Sequence, residues 1–570
     1  MSPNLRLIAL VALLLASGCA SPPGRAPAAT ADVAHDEIAV TAHPLATRAA
    51  LAMLEKGGAP IDAAIAAQMV LGLVEPQSSG IGGGTLVLYW DASAKKLSSF
   101  DGLAAAPSRA TASLRTDTDG KLLPSEPLQR GGRSVGIPGT VAVLAMVHAR
   151  QGKLAWRELF EPAIALAEQG FPMPRYLHGI LSLPDAARDH PDMLPLYFAG
   201  NGKPHAIGTT IRNPEYARTM RRIAIGGADA FLGGGGAEAI VKSAQRGFRP
   251  TLITEQDLRD YRAVEYDPVC AAFLAYRVCT MGPPSYGGLI VLQVLQMVEA
   301  RSQGRFDFDD PAFAHLYLEA GRLAQADRRK YVGDPRFVKV PVVALADRRY
   351  ARERAASIDM SRAAMEVKAG VPTPNLAALS PDESDPVAAT SQIAIVDRAG
   401  NALSITTTTN LNFGSRLMVD GFVLNNALTN FSAAPKPGET IANQMAPGKR
   451  PVTSMAPTIV FDENGAPVVV GGSAGGGPIV DYVASSLIEM LANGRTPAEA
   501  LARGHITTAV VGKVQLEKGT AAAALAAPLV ARGHTVEETP LLSGLGFLKR
   551  TPSGWIGAAD PRRDGAALGR

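Results

Sequence analysis

The chain has 570 residues, of which 47% are hydrophobic and 19% are charged, and its formal net charge is +4. A chain of this length and composition can bury an extensive core. The basic residues form neither a long run nor a stripe with aromatic residues, so nucleic acid is not an expected partner.

Residues 1–19 have the pattern of an export signal. Arg6 precedes an apolar stretch, 7–16, that is too short to cross about 30 Å of hydrocarbon as a helix. The end of the stretch resembles a bacterial lipoprotein signal, in which Cys19 is lipidated and becomes the mature N-terminus; an ordinary cleaved signal is the alternative. Residues 20–36 are poor in large apolar groups and predict a flexible tether. We therefore expect an exported, periplasmic protein that meets a membrane only through a lipid anchor.

The next part of the chain, 37–389, mixes helical and strand patterns. Residues 63–74 are apolar nearly all round, which predicts a buried helix. A glycine-rich loop, 80–84, follows that helix and precedes a strand, whereas phosphate-binding loops precede a helix, so phosphate binding is not expected. Further predicted elements are strands at 85–90 and 97–101 and helices at 47–56, 140–150, 156–169, 213–225, 237–243, 287–299 and 311–331, with a turn at 233–236.

Cys270 and Cys279 remain after Cys19 is assigned to the leader. They bracket a predicted hairpin in which the two cysteines face each other. An exported protein permits a disulfide there, and two buried free thiols are the alternative.

Thr390 lies where a polar, proline-punctuated segment, 371–386, meets a strand pattern. Strands are predicted at 392–396 and 402–409, joined by a turn. A threonine at the start of a strand is ordinarily structural. A backbone cut before Thr390, however, would create an α-amine with a reference pKa of about 7.7–8.0, which can act as the base for the hydroxyl of the same residue.

Motifs spread over most of the chain resemble those of the gamma-glutamyltranspeptidases, N-terminal-nucleophile hydrolases that are made as one chain and cut autocatalytically before a threonine. The motifs lie at 43–46 (HPLA), 74–84 (VEPQSSGIGGG), 283–288 (PPSYGG), 386–432, 449–458 (KRPVTSMAPT), 472–476 (GSAGG) and 558–565 (AADPRRDG). The resemblance implies an α+β fold, a four-layer αββα sandwich formed by a large subunit, 37–389, and a small catalytic subunit, 390–570.

The same resemblance assigns the site. Thr390 would be nucleophile and base, Thr408 would hydrogen-bond its hydroxyl, and Gly475 and Gly476 would supply backbone N–H groups to an oxyanion. The α-carboxylate of a gamma-glutamyl group would be held by Asn410, Thr453 and Ser454. No cofactor motif and no cluster of metal ligands is visible in the sequence, and the expected partner is a small-molecule amide or peptide.

Two substrate positions depart from the family pattern. Leu103 stands where the family has a carboxylate-binding arginine, and Asn430 stands where it has an aspartate for the α-ammonium group; Ala427 replaces a glutamine. The zwitterionic end of a glutamyl group loses charge partners, each worth about 1.5–3 kcal/mol. The expected activity is gamma-glutamyl amide cleavage by acyl transfer to water or an amine. The alternatives are an acylase for glutaryl or other acyl amides and a catalytically silent envelope lipoprotein.

A serine-hydrolase elbow is a rival interpretation of residues 471–475. They fit G-x-S-x-G between a strand and a helix, and Asp481 and His505 follow. Asp481, however, falls in the first turn of the predicted helix after the loop, and the alternating strand and helix pattern of that fold is missing. The sequence therefore favours Thr390 over Ser473 as the nucleophile.

Overall fold

A computed structural model describes residues 32–34, 36–115, 123, 128–184, 192–246, 249–374, 379–382, 389–508 and 510–570. The predicted signal peptide, Cys19 and most of the tether lie outside the described residues, as does much of the predicted linker at 371–386. Among the described helices, none combines the length and the apolar character that a membrane span needs.

Two antiparallel sheets of seven strands each form the centre of the molecule. The strands of the first sheet are, in spatial order, Ala566–Gly569, Ile38–Thr41, Ala389–Val396, Ala402–Asn410, Gly84–Asp91, Lys96–Gly102 and Val264–Tyr266. Those of the second sheet are Asp32–Ala34, Gly554–Ala559, Gly546–Thr551, Pro467–Gly472, Thr458–Phe461, Tyr276–Thr280 and Val269–Phe273. Each sheet therefore combines strands from both sides of the Ala389–Thr390 bond.

The alternation of side chains along one strand shows how the layers stack. Ile393 and Ile395 belong to the hydrophobic core beneath the first sheet's helices, whereas Ala394 and Val396 belong to the core that faces the second sheet. Successive residues of a strand point to opposite faces, so both faces of the first sheet are covered. The order helices, sheet, sheet, helices confirms the predicted αββα sandwich.

Helices cover the outer face of each sheet. The first sheet packs against Pro44–Glu55, Pro60–Val74 and Thr140–Gln151. The second sheet has Gly287–Arg301, Pro311–Tyr331, Arg348–Ala356, Ile479–Leu491 and Pro497–Ala502 on its side. Every residue of Pro60–Val74 is buried, which confirms the buried helix predicted at 63–74.

The remaining helices and strands form the periphery. Helices span Glu161–Gln169, Arg175–Leu181, Leu194–Tyr197, Pro214–Gly226, Asp229–Leu232, Gly234–Gln245, Glu255–Asp260, Val342–Leu345 and Ala526–Ala531. Short 3-10 helices span Ala112–Arg115, Gly132–Ser134, Trp156–Phe160, Ala427–Asn430 and Ala521–Leu525. Small sheets pair Phe171–Pro172 with Thr210–Ile211, Met418–Val419 with Phe422–Val423, and Val514–Glu517 with Ile506–Thr507 and Val536–Thr539.

The structure decides the predictions for the glycine segment 233–236 and for the pair Cys270 and Cys279. The expected turn at 233–236 is wrong beyond its first residue, because the helix begins at Gly234 and includes the other glycines. Cys270 and Cys279 lie opposite each other in the predicted hairpin and form a disulfide. The second alternative for this pair, two free thiols, is therefore not what the structure contains.

Candidate active site

Thr390 lies in the interior of the first sheet, one residue into the strand Ala389–Val396. Its side chain is fully buried, and it pairs with Thr408 across an irregular register between Ala389 and Thr390. Such bulges re-aim the side chains beside them. Here the Thr390 hydroxyl donates a hydrogen bond to the Thr408 hydroxyl at 3.4 Å.

The Thr408 hydroxyl contacts both groups that a cut before Thr390 would involve. It donates to the carbonyl oxygen of Ala389 and accepts from the Thr390 hydroxyl, and the backbone N–H of Asn410 donates to it at 2.8 Å. A hydroxyl has one proton to donate and two lone pairs to accept with, so all its capacity is used. Thr408 can therefore polarise the Ala389 carbonyl while holding the attacking oxygen of Thr390.

Two buried ionisable residues, Glu75 and Arg563, support the strand behind Thr390. Arg563 donates from Nη1 to the Thr390 carbonyl oxygen at 2.8 Å and from Nε to the Ser543 carbonyl oxygen at 2.9 Å. Glu75 accepts from the Ser391 hydroxyl at 2.7 Å. Burial raises the pKa of Glu75 to about 7, although Arg563 and the Ser391 hydrogen bond oppose the shift. Neither Glu75 nor Arg563 was assigned a role from the sequence, although both lie within the motifs at 74–84 and 558–565.

Gly475 and Gly476 lie in the loop between the strand Pro467–Gly472 and the helix Ile479–Leu491. Their φ angles of 120° and 75° fall in the region that favours glycine. A Cβ on Gly475 would also lie 2.8 Å from the Tyr482 ring. The Ser454 hydroxyl donates to the Gly476 carbonyl oxygen at 2.6 Å, which joins this loop to the motif at 449–458.

The predicted substrate residues surround the same region. Asn410 has a φ of 83° and donates from Nδ2 to the Asn426 side chain at 3.0 Å and to Thr429 Oγ1 at 3.1 Å. Asn430 donates to the Val452 carbonyl oxygen at 3.4 Å, so it lies beside the chain that carries Thr453. Asn430 and Thr453 each remain 8% exposed, whereas Thr390 is fully buried.

Leu103 brings no charge to its position. Its side chain is buried in the hydrophobic core, its N–H donates to Asp101 Oδ1 at 2.7 Å, and its carbonyl oxygen accepts from the Tyr261 hydroxyl at 2.7 Å. The nearby Arg450 is 1% exposed and forms an ion pair with Asp101 at 2.6 Å. Because Arg450 also donates to the Arg262 carbonyl oxygen at 2.7 Å, its guanidinium is committed within the protein. Arg450 is therefore not available for the role that the resemblance gives to an arginine at position 103.

The residues of the rival serine-hydrolase interpretation do not meet. The Ser473 hydroxyl is buried and donates to the Ala474 carbonyl oxygen at 2.7 Å. Asp481 accepts from Thr508, and His505 Nε2 contacts the Ser543 hydroxyl at 2.7 Å. A nucleophile elbow requires the serine and histidine to be hydrogen-bonded to each other. The structure shows no such arrangement among these three residues.

Comparison with known proteins decides the family. The family model described as gamma-glutamyltranspeptidase matches residues 46–570. The chain belongs to the gamma-glutamyltranspeptidase family. This membership identifies it as an enzyme of the N-terminal-nucleophile hydrolase class, and it confirms the resemblance drawn from the motifs.

Individual relatives fall into two named groups. The glutathione hydrolase proenzyme of Bacillus subtilis strain 168 is 33% identical over 555 residues, covering 94% of this chain and 92% of that protein. The acylase ACY 1 proenzyme of Pseudomonas sp. strain SE83 is 34% identical and covers 93% of this chain and 92% of that protein. Among solved structures, cephalosporin acylase from Bacillus halodurans superposes with a TM-score of 0.83 at 26% identity, covering 97% of this chain and 98% of that one.

Proposed function

We propose that this family member cuts its own Ala389–Thr390 bond and then cleaves gamma-glutamyl amides, such as glutathione, through an acyl-enzyme on Thr390. The acyl group passes to water or to an amine. The observation that carries the proposal is the position of the Thr408 hydroxyl, which touches both the Ala389 carbonyl oxygen and the Thr390 hydroxyl.

The self-cleavage step follows from that contact. Thr390 Oγ1 attacks the Ala389 carbonyl carbon and loses its proton, while Thr408 donates to the oxygen that gains negative charge. The C–N bond then breaks, the nitrogen takes up a proton, and Ala389 remains as an ester on Thr390 Oγ1. Water hydrolyses the ester, which leaves a carboxylate on Ala389 and a free amine and hydroxyl on Thr390.

Turnover uses the groups that this cut releases. The Thr390 α-amine accepts the proton of its own hydroxyl as Oγ1 attacks the amide carbonyl of the donor. The N–H groups of Gly475 and Gly476 stabilise the oxyanion, and one such donor typically contributes about 2.7–4 kcal/mol. The amine product takes a proton and leaves, and water or a second amine then attacks the acyl-enzyme.

A second candidate is an acylase for glutaryl or other acyl amides, and the environment of Leu103 favours it. This position offers an apolar side chain, and Arg450 is held by Asp101 and the Arg262 carbonyl oxygen. Asn430, an uncharged residue, takes the place of the carboxylate that would pair with an α-ammonium group. An acyl-donor substrate without that ammonium group therefore loses less binding free energy at this site than a gamma-glutamyl substrate does.

The substrate question is tested with three p-nitroanilides on the processed protein: gamma-glutamyl, glutaryl and a simple acyl. Turnover of the gamma-glutamyl compound at or above the level of the others supports the first candidate. Exclusive use of the glutaryl or simple acyl compound supports the acylase. Absence of turnover of all three by processed protein supports a silent envelope protein and contradicts both.

We further propose that Cys19 is lipidated and anchors the mature protein to a bacterial membrane. The support is the apolar stretch and the Ser-Gly-Cys sequence at its end. Intact-mass analysis of protein from the native host tests this assignment. A diacylglyceryl-modified peptide that begins at Cys19 is expected, and an unmodified N-terminus elsewhere would contradict it.

A further inference from the structure

A buried group of His315, Glu319 and His534 lies on the outer side of the second sheet, outside the residues that the mechanism uses. Each residue offers one ligand atom, and these three atoms lie within 4.8 Å of one another. His315 and Glu319 come from the helix Pro311–Tyr331, four residues apart and so on the same helical face. His534 follows the helix Ala526–Ala531 near the C-terminus.

The backbone fixes the protonation of the His315 ring. Its Nε2 lies 2.8 Å from the backbone carbonyl oxygen of Asp359, which can only accept, so Nε2 carries the proton. In the neutral ring Nδ1 then presents a lone pair, which faces His534 Nε2 at 2.8 Å. A ring whose second nitrogen donates to a backbone carbonyl is the usual arrangement of a metal-binding histidine.

The His534 ring is placed between two acceptors. If its Nε2 donates to His315, its neutral ring leaves Nδ1 as a lone pair facing Glu319 Oε1 at 3.9 Å. Two acceptors would then face each other in a buried place, which is unfavourable. A cation bound by both His315 Nδ1 and His534 Nε2 removes the conflict, because His534 Nδ1 then carries the proton and faces the carboxylate. The two nitrogens, 2.8 Å apart in the structure, would separate by about 0.5 Å to bind a tetrahedral zinc ion.

Glu319 keeps the capacity to bind a cation although it already has partners. Arg322 donates to Oε1 at 2.5 Å, and the Ala364 N–H donates to Oε2 at 3.1 Å. A carboxylate has about four lone-pair positions. Arg322 and the His534 Nδ1–H use those of Oε1, and the Ala364 N–H uses one of Oε2, so Oε2 retains one for a cation. The guanidinium of Arg322 also donates to the Ala364 carbonyl oxygen at 2.7 Å, which fixes the carboxylate in place.

We propose that His315, Glu319 and His534 bind one divalent transition-metal cation, zinc by the chemistry of its ligands. Two neutral imidazoles and one carboxylate form a ligand set that zinc accepts, with water in the fourth position. The ion joins residues on both sides of the Ala389–Thr390 bond. After the proposed self-cleavage, the ion would hold the two fragments together, so this role rests on the proposed function. Binding of the ion itself does not depend on the cut.

Metal analysis of tag-free, full-length protein tests the site. Wild type is loaded with zinc, dialysed against metal-free buffer and measured by inductively coupled plasma mass spectrometry. About one zinc per chain is expected. His315→Gln and His534→Gln should each lose most of it, while His205→Gln, at a histidine outside the cluster, should keep it. Equal zinc in wild type and in both cluster variants would place the ion elsewhere and overturn the proposal.

Cobalt keeps the test decisive if a cluster variant does not fold. Wild type titrated with Co²⁺ should develop the visible absorption of a cobalt ion bound by imidazole nitrogen at about one equivalent. Wild type that retains no zinc and develops no such absorption refutes the site. Thr390→Ala should bind the same amount of metal as wild type, so a failure of self-cleavage and a failure of metal binding give different results.

Discussion

The Thr408 hydroxyl donates a hydrogen bond to the carbonyl oxygen of Ala389, the oxygen of the peptide bond that precedes Thr390. The same hydroxyl accepts from the Thr390 side chain at 3.4 Å. In the uncut chain, the proposed nucleophile and a hydrogen-bond donor to the carbonyl oxygen therefore both lie at the Ala389–Thr390 bond. This geometry is present before any substrate binds. We therefore expect self-cleavage and substrate turnover to be affected separately by substitutions.

Removing the Thr408 hydroxyl should slow self-cleavage. Thr408→Val keeps the shape of the side chain but loses the donor, and loss of one oxyanion donor costs about 2.7–4 kcal/mol, or roughly 100- to 1000-fold in rate. Thr408→Ser keeps the hydroxyl and should process much faster than the valine variant. The time course of fragment appearance on denaturing gels measures the rate of self-cleavage in each variant. Equal rates for the valine and serine variants would show that the hydroxyl has no such role.

Asn430→Asp should shift specificity toward gamma-glutamyl donors. The new carboxylate can pair with the α-ammonium group, which a glutaryl donor lacks, and a charged hydrogen bond is worth about 1.5–3 kcal/mol. The ratio of kcat/KM for gamma-glutamyl over glutaryl p-nitroanilide should rise by at least about tenfold. Asn464→Asp, at an exposed turn, adds the same charge away from the site and should leave the ratio unchanged. A comparable rise of the ratio in both variants would show that the added negative charge of the protein, and not a carboxylate at position 430, changes the specificity.

The buried Arg450 and Asp101 pair should be needed for stability. Asp101→Asn leaves the 1% exposed guanidinium of Arg450 without its charge partner, which typically costs about 3–5 kcal/mol. Urea unfolding of the Thr390→Ala protein, which remains one chain, gives the free energy. Glu265→Gln breaks a more exposed ion pair with Arg150 and should cost about 1 kcal/mol or less. Equal losses of unfolding free energy in the two variants would show that the buried pair is no more important for stability than the exposed one.

Glu75 should make stability depend on pH. Burial raises its folded pKa from 4.5 to about 7, against the influence of Arg563 and the Ser391 hydrogen bond, while Asp564 adds to the increase. The folded state thus holds a proton that the unfolded chain releases between pH 4.5 and 7. The associated stability is complete below the unfolded pKa and disappears as the pH rises through about 7.

Glu75→Gln removes this titration while the amide oxygen can still accept from Ser391. In the Thr390→Ala background, the unfolding free energy of the Glu75 protein should fall relative to the glutamine variant between pH 4.5 and 8. The relative change is about 3 kcal/mol at most, since one pKa unit is worth about 1.36 kcal/mol. Parallel pH curves for the two proteins would show that Glu75 keeps its ordinary pKa in the folded state.

Much of the fold could be predicted because local and global signals agree. The helix Pro311–Tyr331 has the predicted bounds, since a proline marks its first residue, a glycine follows its end and apolar residues recur along it. Gly233 to Gly236 misled the prediction. Three of these glycines begin the helix Gly234–Gln245, because packing of its later turns outweighs their low helix propensity.

The contact between Thr390 and Thr408 could be predicted because both residues lie in one motif, 386–432, and the structure places their hydroxyl oxygens 3.4 Å apart. Residues that act through contacts distant in sequence were missed. Glu75 and Ser391 are 316 positions apart, and Arg563 reaches Thr390 across 173. His534 meets His315 across 219 positions, so only the four-residue spacing of His315 and Glu319 could have indicated the cluster. Long-range contacts of this kind depend on sheet order, which local patterns do not specify.

N-terminal sequencing of the mature protein tests the central claim most directly. Wild type should separate into two fragments on a denaturing gel, and Edman degradation of the smaller one should start at Thr390 and continue with Ser391 and Gln392. Thr390→Ala should remain intact and inactive. An uncut wild-type chain that turns over substrate, or a fragment that begins at another residue, would contradict the account.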